Sequence, residues 1–491
     1  SYRDRIVDID GQQKYRMNQH GVSATADYEL DNATITSVSA YRAWNWYPHN
    51  DGDGTGLDVF RDSHQDNKLK QFSQELRIAS TGQRSIDYVA GAYYLYQQIE
   101  AEGIAAYGSQ AGAWYGIGTT ASPAAARAAL NNYTVTSHWK PVTNSYAAFA
   151  QTVWHITPTL DLTTGLRYTY ETKSGWFEQT ASGQDLSTLS SADQAAAETL
   201  RRRYGVANAY SARTSAGRVS GQVTLSWKIT PDVLTYATYS RGNKFGGLNL
   251  ANINTTGANR IDPVIEPETI DSYEIGLKTS WLGGKITANL AGFWTDDTNY
   301  QTTAIDTSRN NLSYFSNVGK VRSRGVEADI QAIPAPWLSL YASGTYDDAK
   351  YVSYVNSPCP IEVAGQPTCD MSGRRLPGVS KWAGSVGGET HAGVGGSLGH
   401  DAEAYFGADY SYRSNLYTTS ADSIYSKIPG YGLLNLRFGI RADDGTYDIQ
   451  FWARNVTKKD YFLSLSADNF GAVRGALGDP RTYGVTLRTK L

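Results

Sequence analysis

Alternation of apolar and polar residues with a period of two, repeated along the whole chain, is the feature that most constrains its fold. Between Leu160 and Glu171 one face reads Leu160, Leu162, Thr164, Leu166, Tyr168 and Tyr170. The other reads Asp161, Thr163, Gly165, Arg167, Thr169 and Glu171. The pattern returns over Ile286–Trp294, Leu434–Arg441, Tyr447–Arg454 and Tyr483–Leu491. Successive side chains of a strand point to opposite faces, so these segments are strands with one apolar and one polar side.

A soluble sandwich, propeller or β-helix would also alternate. Two features favour a membrane barrel instead. The apolar faces are tipped by Tyr or Trp at the strand ends, as an interfacial girdle requires. The polar faces carry Arg, Asp and Glu deep within long strands, which suits a hydrated lumen. Composition agrees: 35 Tyr and 12 Trp stand against 12 Phe, and both enriched types join an apolar ring to a polar tip. Mean hydropathy is −0.43, and no apolar run reaches the roughly 18 residues a spanning helix needs. The net charge of −3 gives no reason to expect nucleic acid.

The pattern predicts about 17 antiparallel strands whose connections alternate short and long. The short ones fall near Asp31-Asn32, Thr81-Gly82, Thr157-Pro158, Thr230-Pro231, Gly283-Gly284, Pro334-Pro336, His391-Gly399 and Asp443-Gly445. The long ones are roughly 49–67, 103–139, 179–212, 246–263, 296–312, 350–374, 413–426 and 462–474. Bacterial barrels have short periplasmic turns and longer extracellular loops, and an even strand number. The odd count, with a start (SYRDRIVDID) that lacks Met and a signal peptide, is read as a fragment whose upstream strands lie outside this sequence.

Several stretches resemble the TonB-dependent outer-membrane receptors. Gly478-Asp479-Pro480-Arg481-Thr482-Tyr483-Gly484 is similar to a C-terminal G-x-P-R-x-Y-G signature. Asn455-Val456-Thr457-Lys458-Lys459-Asp460-Tyr461 is similar to the segment that precedes it. Tyr239–Gly247, Pro267–Lys278 and Asn317–Glu327 resemble further family segments, in the family's order. The resemblance implies a 22-stranded plugged barrel, of which residues 1–491 would be the barrel domain without the N-terminal plug and about five first strands. It implies active uptake of a scarce nutrient, a ferric siderophore first, powered by a TonB–ExbB–ExbD complex acting on the plug. It also implies the outer membrane of a Gram-negative cell, with lipid and lipopolysaccharide around the barrel and a surface lipoprotein as a further possible partner. Leu491 departs from the family's usual terminal Phe.

Ligand recognition is expected in the long loops, since the lipid face and the turns are scaffold. In 103–139, Ser122-Pro123 opens a short helix through Leu130, with Ser122 as N-cap. In 179–212, Ser191-Ala192-Asp193-Gln194 reads as a capping box opening a helix to Arg203. Such helices suit a lid over the lumen or a packed loop that stabilises the rim. Aromatics at the loop bases, Trp44, Trp46, Trp114, Tyr115, Tyr204, Tyr210 and Tyr417, could stack on a planar ligand or form the outer girdle. Arg201 and Arg202 could meet an anionic chelate or lipopolysaccharide phosphate, or lie in solvent. Cys359 and Cys369 read as a local disulfide or as two free thiols. No catalytic constellation is visible and no cofactor is expected. The histidines (His20, His49, His64, His138, His155, His391, His400) show no metal-ligand spacing. The rival readings are a passive porin, an outer-membrane hydrolase and a surface anchor for partner proteins.

Overall fold

A computed structural model describes residues 2–257, 260–306, 312–363, 365–397, 399–467 and 473–490. Its body is one antiparallel sheet of 18 strands, each paired with the next sheet strand along the chain except at the short Lys350–Ser353. Leu338–Asp347 and Lys350–Ser353 both pair with Lys320–Ala335 as consecutive stretches of one interrupted strand, so 18 strands fill 17 positions. The edges are Lys14–Glu29 and Thr482–Thr489. At the loop end the regions beside them interlock. Arg5 donates to the Gly478 carbonyl at 3.0 Å and Arg474 to the Gly52 carbonyl at 2.8 Å, while Arg3 lies 3.7 Å from Asp460. The sheet curls round on itself as a barrel does.

The two faces follow from the alternation. Phe406, Phe438, Phe451 and Val485 stand side by side across four strands, and all are exposed. Leu277 and Leu290 likewise face one another. These rows meet lipid. Trp154, Trp227, Trp281 and Trp337 are exposed beside the tight turns, while Tyr146 and Tyr273 are exposed further up the same face. Trp281 and Tyr273 are eight residues apart on one strand. That is about 26 Å of strand, or about 20 Å of depth at the usual barrel tilt, close to the expected apolar band. The opposite face carries a charge network in which Glu389 accepts from Arg437 at 3.1 Å and Arg441 at 2.8 Å. His391 lies 2.6 Å from Glu403, Arg488 bonds Asp448 at 2.6 Å, and Arg437 also reaches Asp409. Opposite charges satisfy each other there, as a wet but crowded interior demands.

The motif residues lock strands and loop bases together. Tyr236 donates to Glu274 at 2.6 Å, and its ring crosses Gly276 so closely that a Cβ would lie 2.3 Å from it. Gly319 takes φ +58°, with the Ser353 carbonyl where a Cβ would stand. Asn317 bonds Glu266 and Asn299, and buried Asn455 bonds the carbonyls of Lys459 and Asp479. Leu491 lies outside the described residues.

The loops sit where the rhythm predicts, but they are shorter. The predicted 49–67, 103–139 and 179–212 contract to 51–61, 107–133 and 183–207, because the strands continue beyond the bilayer. Thr134–Thr157 has 24 residues, whereas about 9–11 suffice to cross. The region His391–Gly399, predicted as a connection, is mostly strand: Trp382–Ser397 runs through it. Its glycine-rich stretch carries a bulge between Gly393 and Gly395, so no alternation marks it as a strand. Several long loops contain short hairpins of their own, such as Gln301–Asp306 with Leu312–Asn317 and Phe462–Ala467 with Val473–Leu477.

Candidate ligand site at the mouth of the barrel

Three helices crown neighbouring strands: α1 (Ala111–Tyr115), α2 (Pro123–Leu130) and α3 (Ser191–Tyr204). The Ser122 hydroxyl accepts from Ala125 N at 3.1 Å and caps α2, with Pro123 at its first position. The cap of α3 is Ser190 rather than Ser191, one residue earlier than predicted. Asp193 joins the two caps by accepting from Ser122 at 2.6 Å and Ser190 at 3.0 Å, and these bonds hold its carboxyl below the usual range. The helices bury Ala111, Ala125, Ala129, Leu130, Ala197 and Leu200 against one another. They form one small core, not two independent flaps.

Arg201 belongs to that core. Its guanidinium donates to the carbonyls of Ala128 (3.1 Å), Ala129 (3.0 Å) and Gln184 (2.6 Å), and lies 4.9 Å from the Tyr133 ring centre. It closes the C-terminus of α2, where a helix leaves carbonyls without partners, so its donors are turned away from any anionic ligand. Arg202 is exposed and bonds Thr199 at 2.9 Å. Of the aromatic candidates, Tyr115 and Tyr204 meet at 4.8 Å and both pack edge-on to buried Tyr107, at 5.8 and 5.5 Å. Burial pushes the Tyr204 hydroxyl up to about 12. Trp114 is half-buried in α1. Tyr210 is a strut: its hydroxyl donates to Asn249 O at 2.6 Å and accepts from Ala251 N at 3.0 Å, fixing the 245–267 loop. Tyr417 stands elsewhere, on a two-residue strand paired with Lys427–Ile428.

Trp44 and Trp46 do not belong to the outer girdle. Tyr41 and Phe72 are paired and exposed on the lipid side, so the even-numbered tryptophans of Ala33–Asn50 face inward. Trp46 lines a cleft of about 460 Å³ together with Tyr15, Gln65, Trp139, Gln179 and Tyr204. Tyr15 packs edge-on to Trp46 at 5.7 Å. Two donors of this cleft, Trp46 Nε1 and the Tyr204 hydroxyl, are shielded from solvent and make no hydrogen bond among the described residues. A buried donor without a partner is costly, and a ligand acceptor relieves that cost. Aromatic walls with a few convergent polar groups are what a small-molecule site requires. Tyr15, Trp139 and Gln179 escape the sequence reading because Trp139 and Gln179 lie where loops were expected and Tyr15 lies in an edge strand. On the far side, Cys359 and Cys369 form a disulfide across the 354–381 loop.

Residues 1–456 match the family described as TonB dependent receptor-like, beta-barrel. The ferric-pyoverdine M114 receptor PbuA of Pseudomonas sp. (strain M114) is 26% identical over 226 residues, 46% of this chain and 25% of that protein. The probable TonB-dependent siderophore receptor PiuA of Acinetobacter baumannii is 23% identical over 269 residues, 54% of this chain and 33% of its own length. Among solved structures, the ferric yersiniabactin uptake receptor FyuA of Yersinia pestis superposes with a TM-score of 0.72 at 16% identity, covering 97% of this chain and 61% of FyuA. The PiuA structure gives 0.68 at 18% identity, covering 98% of this chain and 65% of that one. The matches thus span a quarter to a third of the curated relatives and under two thirds of the solved chains. At these identities the structures show a shared fold, and the family match shows descent: the chain belongs to the TonB-dependent receptor-like β-barrels, receptors of the Gram-negative outer membrane and not enzymes.

Proposed function

We propose that this barrel binds a ferric siderophore at its extracellular mouth and serves its uptake with energy delivered through TonB–ExbB–ExbD. PbuA is named a ferric-pyoverdine receptor and PiuA a probable TonB-dependent siderophore receptor, which supports the ligand class. The observation that carries the proposal is the cleft beneath the loop helices. It offers two tryptophans, two tyrosines and two unpartnered donors on the inward face. Catecholate and hydroxamate chelates present flat rings or planar groups edged with anionic oxygens, which such walls and donors complement.

The test is a titration of the full-length protein in detergent with ferric catecholate, hydroxamate and citrate-type chelates, followed by tryptophan fluorescence. One class is expected to quench saturably, its metal-free form much less. Trp46→Phe and Tyr204→Phe each remove a donor to a charged acceptor, worth about 1.5–3 kcal/mol, and are expected to weaken binding about 10- to 100-fold. Equal affinity of both variants and wild type for every quenching chelate would overturn the siting. Absence of saturable quenching by any ferric chelate would overturn the ligand class.

A further inference from the structure

The two strands flanking the 51–61 loop, Ala33–Asn50 and Asp62–Ser80, bring together residues that are scattered in the sequence. His49 and His64 are directly paired across the ladder. Their rings stack, with centroids 4.0 Å apart at 20°. Asp62 lies between them, one carboxylate oxygen 2.9 Å from His64 Nδ1 and the other 3.8 Å from His49 Nδ1. One ligand atom from each of these three residues falls within 4.8 Å of the others. The cluster shares the outward face of Tyr41 and Phe72 but stands eight residues beyond Phe72, about 26 Å further up the strand and clear of the bilayer.

We infer that His49, His64 and Asp62 form a site for a borderline divalent cation of the zinc, nickel or copper class. Two imidazoles and a carboxylate are the donor set such ions select over magnesium or calcium. The spacing fits: bonds of about 2.1 Å arranged tetrahedrally put neighbouring ligand atoms about 3.4 Å apart, between the two distances from Asp62. All three side chains are half-buried, and modest rotations about their χ angles close the difference.

Asp66 supplies the outer partner. Its Oδ1 is shielded from solvent, accepts no hydrogen bond among the described residues and lies 3.7 Å from His49 Nε2. His49 therefore presents one nitrogen to Asp62 and the other to Asp66. A histidine that binds metal through one ring nitrogen usually donates its other N–H to a carboxylate, which fixes the tautomer and ring orientation. When the ion binds Nδ1, the proton resides on Nε2 and points at the unpartnered oxygen. Three protein ligands leave one coordination position open. The ion would tie the two strands together at the root of the 51–61 loop.

Isothermal titration of chelator-treated full-length protein with zinc, and electron paramagnetic resonance with copper, test this assignment. One zinc per chain and a two-nitrogen copper signal are expected, with no response to magnesium. His49→Gln with His64→Gln abolishes both readouts, Asp66→Asn weakens zinc about 10- to 100-fold, and His155→Gln changes nothing. Folding of each variant is read from its heat-dependent gel mobility. Stoichiometric zinc retained in the folded double variant overturns the proposal, as does a folded wild type that binds neither metal.

Discussion

The bilayer-spanning band and the strand extensions above it are built from one ladder but written in different scripts. Within the band, each strand meets two solvents. Leu166, Tyr168 and Tyr170 face lipid, while Gly165, Arg167 and Thr169 face the interior. Above it, the outward face meets water and the inward face packs beneath the loops, burying Val135, Phe177 and Gln179. Thr134–Thr143 or Ser174–Ser182 carry polar residues on either side while the backbone remains paired. In hydrocarbon an unpaired amide costs several kcal/mol, so pairing and patterning are both obligatory. In water the pairing persists through cross-strand contacts and the pattern relaxes. Period two therefore reports the solvent rather than the strand.

That contrast is broken most sharply by a charge in the band. Leu290 lies opposite Leu277, midway between Tyr273 and Trp281. Leu290→Arg is expected to destabilise the barrel by about 2–4 kcal/mol in urea unfolding, whereas Gln151→Arg on the inward face costs less than about 1 kcal/mol. Equal costs would remove the distinction between the faces.

In the extensions, effects should be local. Removing the Cys359–Cys369 disulfide by Cys→Ser is expected to cost the 354–381 loop about 2–3 kcal/mol, seen as faster proteolysis there with the urea midpoint unchanged. Arg201→Ala strips two carbonyls at the end of α2, and that of Gln184, of their donor, a loss of about 1–3 kcal/mol. Hydrogen exchange should quicken in 107–133 and 183–207 and leave Leu160–Tyr170 untouched.

The smallest effect comes from pH. Asp193 is lowered by Ser122 and Ser190, and Asp58 by Arg61 first, with Ser109 adding to it. Lowered folded-state values mean the ionised forms stabilise the loops above about pH 4, the ordinary carboxylate range. That contribution fades as the pH falls below it. Protease sensitivity of 51–61 and 107–133 should thus rise on acidification below about pH 4 while the spanning strands persist.

The same physics divides what the sequence discloses. Seventeen strand positions and the short–long rhythm are legible, because tight turns carry Pro, Gly and Asn and the band alternates. The ends of the long strands are not legible, because nothing polar-apolar marks them. Gly393–Gly396 hides a strand, since glycine has no side chain to assign to a face. Trp46 and Tyr204 are readable as aromatics but not as neighbours, because their meeting depends on how far the strands flanking the 107–133 and 183–207 loops rise. His49 and His64 lack metal-ligand spacing along the chain, and cross-strand register alone brings them together.

Single cysteines placed at successive positions from Leu162 to Tyr170, in protein reconstituted into liposomes and labelled with a nitroxide, test the central claim most directly. Labels at 162, 164, 166, 168 and 170 should be relaxed by oxygen from the lipid phase, and those at 163, 165, 167 and 169 by an aqueous nickel chelate. Labels at all nine positions responding alike, to either reagent, would contradict a sheet with hydrocarbon on one face and water on the other.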